Sequence, residues 1–219
     1  MLASQLIQTN YPSINLSDKV SLALHLMDEY DVQHLPILHD EKFVGLVCKD
    51  DLLDNDEDKT VATLEYQFIK ASIKAEEHFL AALKQVAEFN LSLVAVVNEQ
   101  LELRGVITAT ELIKILSKFT GSEDPGGIIV LEMERRNYSF GEISRLVETN
   151  DASILQLNTM SGSDSGIIVV TIKINKIEVS DIVATFQRYD YQVQYYFGEE
   201  LYTNELKENY NHLLSYLNI

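Results

Sequence analysis

Apolar residues recur along the chain in short blocks whose period changes from helical to extended and back. Between residues 19 and 30, Val20, Ala23, Leu24 and Met27 fall at helical spacing, which predicts an amphipathic helix. Residues 35 to 38 and 43 to 47 are compact apolar runs around the polar turn His39-Asp40-Glu41-Lys42, which predicts two short strands joined as a hairpin. A second helix is expected from Asp50. The same succession then returns, with a helix over 76 to 89, strands over 93 to 97 and 105 to 108, and a closing helix over 110 to 119.

The return is residue by residue. At an offset of 59, Ser13 meets Ser72, Ile14 meets Ile73, Ala23 meets Ala82, Leu24 meets Leu83, Met27 meets Val86, Tyr30 meets Phe89 and Val32 meets Leu91. One inserted residue near 98 to 102 changes the offset to 60, and Gly45, Leu46, Val47 and Asp51 then meet Gly105, Val106, Ile107 and Glu111. An insertion of that size belongs in a polar turn, where loops tolerate it. Periodicity on this scale means two copies of one supersecondary unit, here strand, helix, strand, strand, helix.

A different pattern follows. Residues 120 to 127, Thr-Gly-Ser-Glu-Asp-Pro-Gly-Gly, concentrate breakers and read as a linker. Beyond it a strand is expected over 127 to 134. Ser139 and Glu142 form a capping-box pattern ahead of a helix ending near Asn150. Two strands, 152 to 160 and 167 to 174, flank a hairpin turn over 161 to 166. A helix over 179 to 189 and a strand over 192 to 197 complete β-α-β-β-α-β, the ferredoxin-like plan. Leu206, Tyr210, Leu213 and Leu217 then place a helical stripe on the tail 201 to 219, which docks on its own domain or crosses to a second subunit. The expected organisation is α/β (α+β), with domains at 1–60 and 61–119, a linker at 120–126, a domain at 127–200 and the tail.

Composition narrows the partners. With 17 basic and 34 acidic residues the formal net charge is −17, and phosphate contacts need clustered cations, so no nucleic acid is expected. The acids are spread evenly, 19 against 10 bases in residues 1 to 120 and 15 against 7 thereafter. The single cysteine, Cys48, excludes an internal disulfide and a thiolate-built zinc site, which fits a reducing, cytoplasmic compartment. No apolar run approaches bilayer length and the first residues lack a basic stretch before an apolar core, so no membrane association is expected. The phosphate-loop, nucleophile-elbow and zinc-peptidase patterns are missing, and His25, His34, His39, His78 and His212 show no close metal spacing. An enzyme is not expected. The tyrosines Tyr189, Tyr191, Tyr195 and Tyr196 alternate as residues packed on a sheet.

Leu35-Pro36-Ile37-Leu38, followed by Gly45-Leu-Val-Cys-Lys-Asp-Asp51 and its counterpart Gly105-Val-Ile-Thr-Ala-Thr-Glu111, resembles the h-P-h-h and G-h-h-T-x-x-D/E pattern of CBS domains. Two in tandem, over roughly residues 1 to 118, resemble a Bateman module. Physically, a hydroxyl at a helix start caps free N–H groups, the helix start attracts an anion, and an acid one turn on accepts from a ribose diol. The resemblance implies an adenosine-containing ligand, AMP, ADP, ATP or S-adenosylmethionine, with Asp51 and Glu111 on the ribose, Thr108 at the phosphate, and Ser13, Ile14, Ser72 and Ile73 near the base. Lys49, Lys70, Arg104 and Lys114 are the cations within reach of a phosphate. Cys48 stands where the family usually has Thr or Ser, and Ala95 stands where the first copy has Pro36. The acids also suit helix starts with no ligand at all.

The third segment resembles an ACT domain, and the whole order resembles the CBS-CBS-ACT architecture of acetoin-utilisation regulatory proteins. Of the D-x-P-G-x-L turn found in amino-acid-binding ACT domains, only Gly141 and Ile143 fit; Arg135 and Arg136 are carboxylate candidates or solvated surface. The resemblance implies a homodimer and a non-enzymatic regulatory module that senses a nucleotide through the CBS pair and relays it to the ACT-like domain or dimer interface. The alternative is a ligand-free CBS scaffold for dimerisation or protein interaction.

Overall fold

A computed structural model describes residues 1–161 and 166–198. It divides into one unit over Met1–Leu116 and a second over Ser117–Ile219.

In the first unit, β1 (Ile14–Asn15), α1 (Val20–Glu29), β2 (His34–His39), β3 (Lys42–Cys48) and α2 (Lys49–Leu53) form one repeat. The second repeat consists of β4 (Ser72–Lys74), α3 (Phe79–Phe89), β5 (Leu93–Val97), β6 (Leu103–Thr108) and α4 (Ala109–Phe119). Each sheet has three strands in the order β1-β2-β3 or β4-β5-β6, a parallel pair followed by a hairpin. The hairpin turn of the first repeat places Asp40 and Glu41 at positive φ. Val20, Ala23, Leu24 and Met27 bury the inner face of α1 as the spacing predicts. The helix expected over 76 to 89 begins later, because His78 is its N-cap and Glu77 is held in the preceding turn by the Lys74 N–H, which donates to its carboxylate at 2.6 Å.

The closing helices differ. α2 has five residues and α4 has eleven. The run Asp54-Asn-Asp-Glu-Asp58 follows α2, and acids there oppose the negative end of the helix dipole.

The two repeats exchange their entry segments. Ala3 and Leu6 are buried with Ile73, Phe79, Val94 and Ile107 in the core of the second repeat. Val61, Leu64 and Phe68 are buried with Ile14, Leu35 and Val47 in the core of the first. Both entry segments contain a 3-10 turn, Ala3–Gln5 and Val61–Gln67. A further cluster, with Phe43, Leu46, Leu93, Ala95 and Val106, joins the repeats.

The second unit contains β7 (Ile128–Glu134), α5 (Phe140–Glu148), β8 (Ile154–Ser161), β9 (Ile167–Ile174), α6 (Ser180–Arg188) and β10 (Gln192–Phe197). Its antiparallel sheet has the order β10-β7-β9-β8, which is the ferredoxin-like, ACT-like fold. Ile168, Val170, Ile172 and Ile174 alternate into a core with Ile143, Leu146, Ile182 and Phe186. Ser139 caps α5, accepting from the Glu142 N–H at 3.3 Å, while the Glu142 carboxylate accepts from the Tyr191 hydroxyl at 3.0 Å. Of the tyrosines expected to pack on the sheet, Tyr191 stands edge-on to Phe186 with centroids 5.5 Å apart. Tyr189, Tyr195 and Tyr196 are exposed, the latter two because β10 is an edge strand. The expected helix over 201 to 219 and most of the turn over 161 to 166 lie outside the described residues.

Candidate functional site

The entry segments cross the motif strands of the opposite repeat. Gln8 and Val106 exchange backbone hydrogen bonds of 2.8 and 3.0 Å, and Leu46 and Ile69 exchange two of 2.9 Å. These crossings explain the motif glycines. A Cβ on Gly105 would lie 2.5 Å from the Gln8 carbonyl oxygen and from an Ile7 methyl; one on Gly45 would lie 2.8 Å from the Phe68 Cβ. Only a residue without a side chain lets a second backbone pass so close.

At the far end of these strands the two motifs meet across the repeat interface. Cys48 pairs with His34 and Thr108 with Leu93. The Lys49 N–H donates to the Gln33 carbonyl and the Ala109 N–H to the Ser92 carbonyl. His34, 6% exposed, closes the junction: its Nδ1 lies 2.8 Å from Ser92 Oγ and accepts from the Ser92 N–H at 3.2 Å. That donor requires an unprotonated Nδ1, so the ring is neutral with its proton on Nε2. Burial lowers the His34 pKa, against the opposing pull of the Asp51 and Asp50 carboxylates. The Tyr11 hydroxyl donates to the His34 carbonyl at 3.4 Å, and burial raises its pKa far above the ordinary phenol range.

The two motif ends are chemically unequal. Thr108 Oγ1 accepts from the Glu111 N–H at 3.2 Å, capping α4. Cys48 occupies the N-cap position of α2 and makes no such side-chain bond. Glu111 is half-buried, with its carboxylate 3.8 Å from Lys114 Nζ. Asp51 is half-buried, and its backbone carbonyl accepts from Asn55 Nδ2 at 2.8 Å.

A cleft of about 480 Å³ runs between the repeats, lined by Thr9, Tyr11, Ser13 and Asn15 on one side and by Leu103, Arg104, Gly105 and Val106 of β6 on the other. Leu38, Glu41 and Glu102 complete it. Among the seven residues expected from sequence, Ser13 lines this cleft. Thr108 lies two positions beyond Val106 on the same strand and face, about 7 Å along it, and Glu111 follows at the helix start. Ser72 is half-buried on β4, at the position of the opposite repeat equivalent to Ser13, and pairs with Ala95. Ile14 and Ile73 are buried in the cores of the two repeats, 1% and 3% exposed. Thr9 and Tyr11 carry no motif of their own, because the crossing that brings them beside β6 is a tertiary contact.

In the second unit a cavity of about 380 Å³ is lined by Glu132, Glu134, Glu142, Asp190, Asn137 and Tyr189, among others. No cation lines it among the described residues. Arg135 and Arg136 are exposed, and Arg136 is paired with Glu134. Among the described residues no group of three acids, histidines or cysteines is placed to hold a metal ion, and no helix is long and apolar enough to cross a membrane.

Two pseudo-equivalent αβ repeats that exchange entry segments around a shared cleft, followed by a ferredoxin-like unit, define a paired-domain architecture. Residues 3–58 and 70–118 each match the CBS domain family, and the chain carries two CBS domains in tandem. A CBS domain pair/ACT domain protein from Thermotoga maritima is 24% identical, with a TM-score of 0.50 over 54% of this chain and 98% of that one. CBSX2, solved in complex with AMP, is 21% identical over 54% of this chain and 97% of that one, with a TM-score of 0.48. A curated homoserine O-acetyltransferase from Methanobrevibacter ruminantium is 25% identical over 124 residues, 54% of this chain and 24% of that protein. The chain thus spans about a quarter of the length of that curated relative.

Proposed function

We propose that the CBS pair is a non-catalytic sensor that binds an adenosine-containing ligand in the cleft between β1 and β6, one ligand per chain, and relays its occupancy to the ACT-like unit or a dimer interface. What supports this reading is a cleft that both repeats wall, with Ser13 in its lining, and the capped helix start of Thr108 and Glu111 that follows its β6 wall in the chain. Leu38, Leu103 and the Tyr11 ring offer apolar surface for a base, and the other side chains of the lining, Thr9, Ser13, Asn15, Glu41, Glu102 and Arg104 among them, are polar or charged. Glu111 is the acid suited to the ribose hydroxyls, with Ser13 toward the base. Asp51, Ser72, Ile14 and Ile73 belong to the equivalent half, or to the cores behind both halves. Signalling would follow from differential affinity: a ligand that favours one arrangement of the repeats shifts the population toward it.

A second reading, a ligand-free scaffold, is favoured by the missing side-chain cap at Cys48 and the acids Asp50 and Asp51 beside it. Thermal unfolding of the full chain against AMP, ADP, ATP, S-adenosylmethionine and amino acids separates the two. Ligand at about 100 times its dissociation constant adds about 2.7 kcal/mol, a rise of roughly 5–10 °C for a chain of this size. Calorimetry should then give one site per chain, lost in Glu111→Ala and kept in Asp51→Ala. A flat panel on folded protein selects the scaffold.

A further inference from the structure

We propose that residues 199–219, which lie outside the described residues, dock as an amphipathic helix on the open face of the same chain's β10-β7-β9-β8 sheet. The unit's own helices cover the other face. Ile129, Leu131, Ile168, Val170 and Ile172 point into the core with residues of α5 and α6, so the alternate residues of β7 and β9 face the opposite way. An antiparallel sheet with one wet face is ordinarily polar on that side. This one is not. The register sets Phe197 beside Ile128, Tyr195 beside Val130 and Met160 beside Val169, and with Val130 paired to Thr171 they form a diagonal apolar band from β10 to β8. Phe197, Met160 and Tyr195 are 61%, 60% and 51% exposed, and the Tyr195 and Phe197 rings meet edge-on with centroids 5.7 Å apart. Charged groups flank the band, Lys173 beside Ile128 and Glu132 beside Val169.

The chain carries a cover of matching shape. On a helix, Leu206, Tyr210, Leu213, Leu214 and Leu217 fall within an arc of about 100°, the width of a core-facing stripe, with Glu208, Asn211 and Ser215 opposite. Residues 203–219 would rise about 25 Å, against about 26 Å for the strand β9. The connection is short. The chain leaves the edge strand β10 at Phe197 and Gly198, and residues 199–202 can span about 13 Å, close to the roughly 14 Å between the outer strands of a four-stranded sheet. Glu205 and Glu208 then fall at the end of the sheet where Lys173 stands, and residues 209–219 carry no acidic side chain to meet Glu132. So short a tether gives the tail an effective concentration on the order of mM, which favours it over a second copy of the chain as the occupant.

Hydrogen exchange on the full-length protein tests the docking. Amides of residues 206–217 should exchange at least about tenfold more slowly than in an unstructured chain. Phe197→Ser and Met160→Ser remove exposed side chains, and each should cut that protection by about tenfold, as expected for the loss of one buried apolar contact. Amides of α5 and β9 should keep their protection in both, which shows the unit still folded. Leu213→Ser should act in the same way, and Ser215→Ala on the opposite side should not. Lysine cross-linking of a mixture of isotopically light and heavy protein identifies whose sheet is covered, because Lys207 joined to Lys173 of its own chain gives only unmixed pairs. Unprotected tail amides overturn the helix, protection that survives Phe197→Ser and Met160→Ser combined overturns the surface, and mixed-isotope pairs give the face to the tail of a second copy and overturn the proposal.

Discussion

Replacing Gly105 by alanine tests the crossing of the repeats at its tightest point. Gly105 has φ +139°, and an added Cβ would sit 2.5 Å from the Gln8 carbonyl oxygen and from the Ile7 methyl. The backbone conformation alone costs an L-residue about 1–3 kcal/mol. Forcing a methyl group into a packed site adds about 1–3 kcal/mol, and here the obstacle is backbone tied by the Gln8–Val106 hydrogen bonds. The two terms give about 2–6 kcal/mol, or roughly 5–20 °C in the unfolding midpoint. Gly45→Ala is the internal comparison: its obstacle is the Phe68 Cβ at 2.8 Å and its φ is unremarkable, so only the packing term applies, about 1–3 kcal/mol. Gly141→Ala, with nothing within 4 Å of its Cβ, should stabilise by about 0.5–1 kcal/mol as a helical glycine replaced by alanine. Urea denaturation of the three variants beside the parent gives the ranking. A Gly105→Ala protein within 1 kcal/mol of the parent would refute the crossing as described.

Further consequences follow from single contacts. Thr108→Ala removes the α4 cap and should cost about 1 kcal/mol, whereas Cys48→Ala removes no cap and should cost less; paired denaturation curves decide it. Ser139→Ala should lower stability by about 0.5–2 kcal/mol through loss of the α5 cap, measured the same way. Because burial lowers the folded-state pKa of His34, the unfolded chain binds more protons on acidification. The His34 contribution is therefore fully retained above about pH 6.5 and declines as pH falls below that value toward the folded-state pKa. His34→Gln should flatten that part of the stability curve, and an unchanged slope between pH 7 and 5.5 would remove His34 from the account.

The repeat, its element order and the ferredoxin-like unit were legible because each rests on local signals: helical spacing in α1, apolar runs beside polar turns in β2 and β3, and Ser139 ahead of α5. The exchange of entry segments was not. Leu6 and Leu64 are ordinary apolar residues in sequence, and nothing local says that each is buried in the other repeat's core. The site was legible in part for the same reason. Thr108 and Glu111 stand in a contiguous motif, while the cleft lined by Arg104, Glu41 and Tyr11 forms only through the tertiary crossing. Ile14 and Ile73, placed near the base by resemblance, alternate inward on their strands, and the pleat sends them to the cores.

The inequality of the two motif ends carries the functional argument furthest. Here the cores remain matched, with Ile14 and Ile73, Leu35 and Val94, and Val47 and Ile107 all buried in their repeats. The departures fall at the cap, Cys48 against Thr108, and at the length of the helix behind it, α2 against α4. The Thr108 cap stabilises α4 with or without a ligand, so it is ligand stoichiometry that separates a one-site sensor from a scaffold. Cys48→Thr is therefore an informative gain-of-function variant: restoring the hydroxyl should cap α2 and raise stability by about 1 kcal/mol. If the Asp51 half is otherwise intact, the ligand stoichiometry measured by calorimetry should rise from one toward two, and stoichiometry unchanged with the cap restored would place the asymmetry in the acids Asp50 and Asp51 rather than in the missing hydroxyl.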